Sequence, residues 1–323
     1  MSSTPSDLSR LAFGKYVGGV LPGTPAMLVA RFSDESFQYS PTIVDSPELD
    51  PTGQPRDTML TGAVSEGAVN FPLARSLWFD EMLAAVFRNS WGTGQKAPGT
   101  GVGAALTANE LVPGAIVQQF DIQKKFLTPT AVYHRTVKTG VASLNLRLQA
   151  NEIISGTVQL MGGVLSVGTT DISGATYADP GTYPPFTAPN VTNVNIGSFA
   201  TAHCFQSLNI GFNSNLRNIN CIGAVAPTDQ NLGRFMPSIE GQVMFIGNDV
   251  IDELLSQTYF AVSFTLSDGA GNSYTFDYPR CKILSAPVNI PGTNQDVVVP
   301  ISLKAHYDPM YLYACKVTRV QAP

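Results

Sequence analysis

The chain has 323 residues, 44% of them hydrophobic and 13% charged, with a formal net charge of −5. The length suits two domains, and the charged fraction is about half the roughly 25% usual in soluble domains. A negative chain this poor in charge excludes a protein that grips nucleic acid through its phosphates, which needs a basic excess.

In chain order, residues 1–25 are rich in Gly and Pro and read as an irregular or extended arm. They hold no apolar run, so no signal peptide is expected. No stretch of eighteen apolar residues follows anywhere, so no membrane-spanning helix is expected either. Residues 27–32 and 36–39 are strand pieces. Residues 41–57, with Asp45, Glu48, Asp50 and several prolines, read as a loop too long for a tight hairpin.

The strongest local signal lies at 64–91. Val64, Glu66, Ala68 and Asn70 alternate with Ser65, Gly67, Val69 and Phe71, the period-2 pattern of a strand that Pro72 ends. The period then becomes helical: Leu77, Trp78, Met82, Leu83 and Val86 or Phe87 recur on one stripe behind an N-cap at Ser76. Asp80 and Glu81 sit in the first turns, where the helix dipole favours acids. Trp78, Phe79, Met82 and Phe87 are core or interface candidates.

Residues 92–105 are Gly-rich. Gly99-x-Gly101-x-x-Ala104 with Asp121 twenty residues beyond Gly101 imitates a dinucleotide fingerprint. A helix and not a strand precedes it, Pro98 interrupts it, and no Gly-Lys-Ser/Thr follows, so it reads as a flexible loop. Half-exposed antiparallel strands are expected at 117–124, 131–136, 141–148 and 153–160, with turns at Thr139-Gly140 and Ala150-Asn151. Residues 174–194, holding Pro180, Pro184, Pro185 and Pro189, read as an inter-domain linker.

The second half repeats the order. A strand at 205–212 leads through a loop at 213–231 to a strand around Glu240 and a helix at 249–257. Strands at 259–267 and 273–277 are joined by the turn Asp268-Gly269-Ala270-Gly271-Asn272, and strands at 280–285 and 297–305 close the domain. Glu66-Gly67 matches Glu240-Gly241 at a spacing of 174 positions, and Asp80-Glu81 matches Asp252-Glu253 at 172. A strand-helix unit recurring at that distance signals a duplicated domain; solenoid periods are shorter. By analogy, Leu77, Trp78 and Leu83 in the first helix, and Val250, Ile251, Leu254 and Leu255 in the second, are expected to pack on their own sheets.

Catalytic chemistry finds no purchase. His134, His203 and His306 lack a metal-ligand spacing. Cys204, Cys221, Cys281 and Cys315 form no CxxC and read as reduced structural thiols. There is no GxSxG elbow and no basic-aromatic interleaving for base stacking. The scarcity of charge fits either a surface buried against other copies or simply a Thr/Asn-rich β protein.

The order of motifs resembles the major tail tube proteins of long non-contractile-tailed bacteriophages, in the branch with two tube domains per chain. The carrying residues are Phe37-Gln38-Tyr39-Ser40-Pro41 with the Glu48 loop, then Glu66-Gly67-Ala68-Val69 running into Phe79-Asp80-Glu81-Met82-Leu83. Gly156-Thr157-Val158-Gln159-Leu160-Met161-Gly162 follows. In the second half they are 205–210, Glu240-Gly241-Gln242-Val243 and 266–274. The insertion at 92–106 departs from the pattern.

The resemblance implies a mainly β fold, with a β-sandwich or half-barrel and one flanking helix in each domain. It divides the chain into a first tube domain at 1–173, a linker at 174–194 and a second tube domain at 195–323. It also implies a structural protein of the virion tail, without enzymatic activity or cofactor, assembled in the host cytoplasm. Homotrimeric rings of pseudo-sixfold symmetry would stack into a tube. The partners implied are other copies, the tape-measure protein, the tail terminator and distal tail proteins, and double-stranded DNA in passage, with no membrane. A lumen that lets DNA through should be acidic or neutral, with Glu66, Asp121, Glu152 and Glu240 as candidate acids. The alternatives are a tube of another phage-tail-like injection machine, or a carbohydrate-binding β-sandwich protein.

Overall fold

The computed structural model describes residues 9–48, 51–54, 56–94, 105–127, 130–197 and 204–322. Among these, the first half contributes β1 (Arg10–Lys15), β2 (Ala26–Val29), β3 (Asp34–Glu35), β4 (Gln38–Asp45), β5 (Thr58–Pro72), α1 (Leu77–Val86), β6 (Glu110–Leu111), β7 (Gln119–Phe126), β8 (Val132–Gln149), β9 (Ser155–Gly162), β10 (Leu165–Gly168) and β11 (Thr176–Ala178). The second half contributes β12 (Val191–Ile196), β13 (Phe205–Asn213), β14 (Arg217–Ile219), β15 (Asp229–Asn231), β16 (Met236–Met244), α2 (Asp249–Ser256), β17 (Phe260–Ser267), β18 (Ser273–Ser285), β19 (Val298–Ala305) and β20 (Lys316–Val320). The fold is mainly β, with one helix flanking the sheets of each half.

Eight of these strands pair side by side, all antiparallel, in the order β4-β5-β9-β8-β13-β16-β19-β18. This inner sheet crosses from the first half to the second at β8 and β13, where Gln149 to Ser143 lie opposite Ser207 to Asn213. Strands β8 and β18 each serve two layers. Their N-terminal parts leave the inner sheet to pair with β7 and β10, and with β17 and β20, respectively. Around those parts lie two outer sheets, β11-β2-β1-β7-β8-β10 and β12-β17-β18-β20-β6.

The two halves follow one plan. In each, a strand, a second strand, a helix, a hairpin and a closing strand occur in that order, and the second strand pairs with the closing one. The N-terminal strand β1 flanks β7 as β12 flanks β17, so the second copy of the plan begins at β12, inside the stretch expected as linker. That stretch is packed rather than free. β11 pairs with β2, Phe186 is fully buried, and its neighbours bridge to Ala74 and Ile153. A single apolar cluster runs through both halves.

Several local features decide these boundaries. Alternating burial along β5 follows the alternating sequence, with Val69 and Phe71 inward and Glu66 outward. Gly67, at φ 150°, lies so close to the Ser36–Phe37 backbone between β3 and β4 that a Cβ would collide with the Ser36 carbonyl. At α1 the Ser76 hydroxyl accepts from the Phe79 amide at 3.1 Å, capping the helix as its position suggests. In the β17–β18 turn, Asp268 accepts from the Ala270 and Asn272 amides at 2.7 and 3.1 Å.

Four expectations need correction. Residues 10–15 are not arm but β1, because Leu11, Ala12 and Phe13 are buried between β2 and β7. Residues 41–45 continue β4 along β5, so the loop begins only at 46. The stretches 131–136 and 141–148 are one strand: Thr139-Gly140 is a bulged bend rather than a turn, and Gly140 is pressed against Leu216 and Gln230 of the second half. The chain also does not close at 305, since β20 adds to the outer sheet. Within the Gly-rich insertion, residues 95–104 lie outside the described residues, as do residues 1–8 and His203.

Candidate assembly surfaces

The inner sheet buries one face and opens the other. Strand alternation places Ser143, Asn145, Thr157, Asn209, Ser238 and Gln242 on the open side, with few charges among them. The charged side chains there include Glu66, Glu240, Arg147, Lys304 and Lys282, and also Asp34 of β3, which accepts from Asn70 on that face. Glu66 and Glu240 hold matching places, opposite Gln38 and Met161 in one half and opposite Asn209 and Ser302 in the other. A recess of about 740 Å³ runs along this face at the seam of the halves, lined by residues that include Asn70, Arg147, Asn209 and Glu240.

Of the four acids expected here, two lie on the face. Asp121 does not: it is fully buried on β7, where Arg135 grips it with Nε at 3.0 and 2.9 Å. Burial raises its carboxyl above the ordinary range, against the pull of Arg135. Its parity on β7 is opposite to that of the core residues Phe120 and Ile122, so it lies on the other face of that outer sheet, under Arg135. Glu152 is exposed in the β8–β9 turn at the end of the sheet, off its face. With acids and bases few and mixed, the open face is polar and thinly charged.

The seam between the halves is the second surface. Phe87, just past α1, packs against Phe212 and Phe235, with centroids 4.9 and 5.3 Å apart. The Arg88 guanidinium donates to the Gly233 carbonyl at 2.6 Å. At the other end of the helix, buried Asp80 takes Arg75 at 2.7 Å, Arg319 at 2.6 Å and the Tyr274 hydroxyl at 2.7 Å. Burial pushes the Asp80 carboxyl up while Arg75, Tyr274 and Arg319 oppose it. Burial beside Asp80 likewise holds the Tyr274 hydroxyl far above its ordinary range. The Trp91 indole donates to the Asp80 carbonyl, and Arg319 stacks on its ring at 4.2 Å.

The sequence reading treated Asp80 only as a dipole partner. Its role here could not be read locally, because Arg319 is 239 positions away.

The helix positions divide. Trp78, Leu83 and Val250 are buried, and Ile251 and Leu254 are partly buried against the core. Leu77 is 61% exposed: it stands at the first helical position, one turn before Glu81, which pairs with Lys15 of β1 at 2.6 Å. Leu255 is 76% exposed, on the stripe of Asp252.

Two further features point outward. The tip of the β4–β5 hairpin exposes Ile43, Val44, Met59 and Leu60 together. Near the far edge, Arg280 and Lys282 stand over the ring of Tyr259 at 3.8 and 4.4 Å, beside His306. Cys281 and Cys315 are buried free thiols, and burial lifts Cys281 to about 12. Cys204 and Cys221 are exposed and free. Among the described residues, no group of three His, Cys, Asp or Glu side chains could hold a metal ion, and no helix is long and apolar enough to cross a membrane.

Compared with known families, the chain matches the model described as phage tail tube protein over residues 7–305. No curated protein matches it.

Proposed function

The chain belongs to the phage tail tube protein family and is a structural component of the virion tail; from this we propose that three copies close into a pseudo-sixfold ring and that such rings stack into the tube. The observation that carries this reading is the seam at β8 and β13. Two units of one plan are already joined there by backbone pairing into a continuous eight-stranded sheet. The outer edges of that sheet, β4 and the end of β18, are unpaired among the described residues, and exposed edges of this kind invite pairing with another chain. Repeating the seam between copies removes both edges. Three chains give twenty-four strands, and at strand spacings of about 4.8 Å and tilts of 35–45° that barrel is roughly 45–50 Å across at the backbone. A DNA duplex passes through such a bore.

The open face of the inner sheet is then the lumen wall. Its Ser, Thr, Asn and Gln side chains, with Asp34, Glu66 and Glu240 set against Arg147, Lys282 and Lys304, offer DNA no continuous basic track. Passage without retention follows. The tape-measure protein occupies the same bore before ejection, and the tail terminator and distal tail proteins cap the tube, which assembles in the host cytoplasm. Domain boundaries at 173 and 195 describe the two tube units at sequence level, joined through the packed stretch between them.

Contacts between stacked rings fall to the β4–β5 hairpin tip, whose clustered Ile43, Val44, Met59 and Leu60 are exposed among the described residues, and to the insertion at 92–106. The deciding experiment is cryo-EM of the tube with the mass of a dissociated ring. Three chains per ring are expected; six would overturn the trimer. Deleting residues 92–106 should leave rings intact and impair tube growth, and normal-length tubes from that deletion would remove the insertion from the stacking contact.

A further inference from the structure

We propose that the outward face of α2 docks on the strip of a second copy that carries Tyr133 and Lys125, with Asp252 of one copy meeting Lys125 of the next. The proposal rests on the ring reading and names the side-chain contact that accompanies its strand pairing.

Its template is inside the chain. The helix α1 of the first half is clamped by the outer sheet of the second, through Tyr274 and Arg319 on Asp80 and through Tyr274 on Phe79, with rings 5.2 Å apart. The helix α2 holds the same place in the second unit. Asp252 and Leu255 stand where α1 has Asp80 and Leu83, on a stripe that begins with Asp249. That stripe is exposed from end to end.

The hairpins fix what should cover it. Residues 119, 126, 132 and 140 of β7 and β8 pair as 260, 267, 273 and 281 of β17 and β18 do, a constant shift of 141 positions. Tyr133 therefore occupies the place of Tyr274, and Lys125 that of Leu266. The place of Arg319, opposite Tyr274 on β20, falls to Gly168, opposite Tyr133 on β10.

The cation of the clamp is thus lost on one neighbouring strand and restored on the other. Lys125 stands 5.6 Å over the Tyr133 ring and has no salt-bridge partner among the described residues. An acidic, half-apolar stripe without cover and a lysine without a counter-ion, at matching places in a repeated plan, fit each other across two copies.

The test is charge reversal in the full chain: Asp252→Lys, Lys125→Asp and both together, scored by negative-stain microscopy and light scattering. Each single variant should give at least about tenfold fewer rings than the unaltered chain, because like charges then face each other, and the double variant should restore them. Cysteines at Asp252 and Lys125, in a chain with Cys204→Ser and Cys221→Ser, should form a disulfide between copies on oxidation. Single variants that assemble normally, or rings formed without rescue and without the cross-link, overturn this contact while leaving the ring reading in place. A covering partner of another kind gives that same pattern. Cross-linked copies with no rings would instead keep the contact and defeat the ring reading.

Discussion

The helices α1 and α2 share a sequence motif and a topological place, yet they live in different solvents. Leu83 is 0% exposed and its counterpart Leu255 is 76% exposed. Asp80 is buried with two arginines and a tyrosine, while Asp252 faces water. The segments differ in part, α1 being apolar nearly all round and α2 on one face only. The first helix has a second unit folded over it and the second has none among the described residues. The same amphipathic unit is core in one place and docking face in the other, which is what a building block needs if one junction is to be made during folding and its twin during assembly.

The largest effect expected from this contrast is at Asp80. Asp80→Ala leaves Arg75 buried without its counter-charge and should cost about 3–5 kcal/mol. Asp252→Ala should stay within about 0.5 kcal/mol in the dispersed subunit. Urea unfolding of both decides it, and equal losses would erase the distinction.

Next comes the leucine pair. Leu83→Ala should cost about 2–5 kcal/mol, Leu255→Ala less than about 0.5 kcal/mol, and Leu254→Ala should fall between, since that side chain is only partly covered. In assembly the order reverses: Leu255→Ala should slow ring formation although the subunit is as stable as before. A variant that assembles at the original rate would take Leu255 out of the interface.

Hydrogen exchange sharpens the comparison without mutation. In free subunits the amides of α1 should exchange much more slowly than those of α2. On assembly α2 should gain protection and α1 change little, so unchanged exchange at 249–256 would speak against its burial.

The smallest effect concerns His306, near the basic cluster at the open edge of the second half. Burial, with Lys304, Arg280, Lys282 and Arg234 adding their charge, holds its pKa below the ordinary 6.5. The unfolded chain therefore takes up the proton first. The contribution of neutral His306 is complete above about pH 6.5 and is lost as pH falls from there through the lower folded value. His306→Gln should flatten that part of the stability curve, and an unchanged slope would assign it to other groups.

Much of this was legible in the chain because it rests on local physics. Period-2 alternation marked β5, β9 and β19, since one face of each is buried. Ser76 before a helical stripe marked α1, and Asp268 to Asn272 marked a turn whose side chain caps its own backbone. The repeat of Glu66-Gly67 and Asp80-Glu81 at Glu240-Gly241 and Asp252-Glu253 marked the duplication. The misreadings occur where distant chain supplies the partner. Thr139-Gly140 has turn chemistry but is spanned by one strand, because Gly140 lies under the second half. The Pro-rich stretch at 174–194 has linker composition but is pinned by Phe186 and β12.

The sequence by itself determined the periodicities and the caps, because each depends on residues within a few positions of one another, and the repeated plan, because its two copies can be compared as strings of residues. The tertiary structure alone decided which copy of the plan is covered. Burial is a property of what folds over a surface, so Asp80 becomes the hub of the seam and Asp252 stays at the surface: Arg319 and Tyr274 reach one, and among the described residues none covers the other.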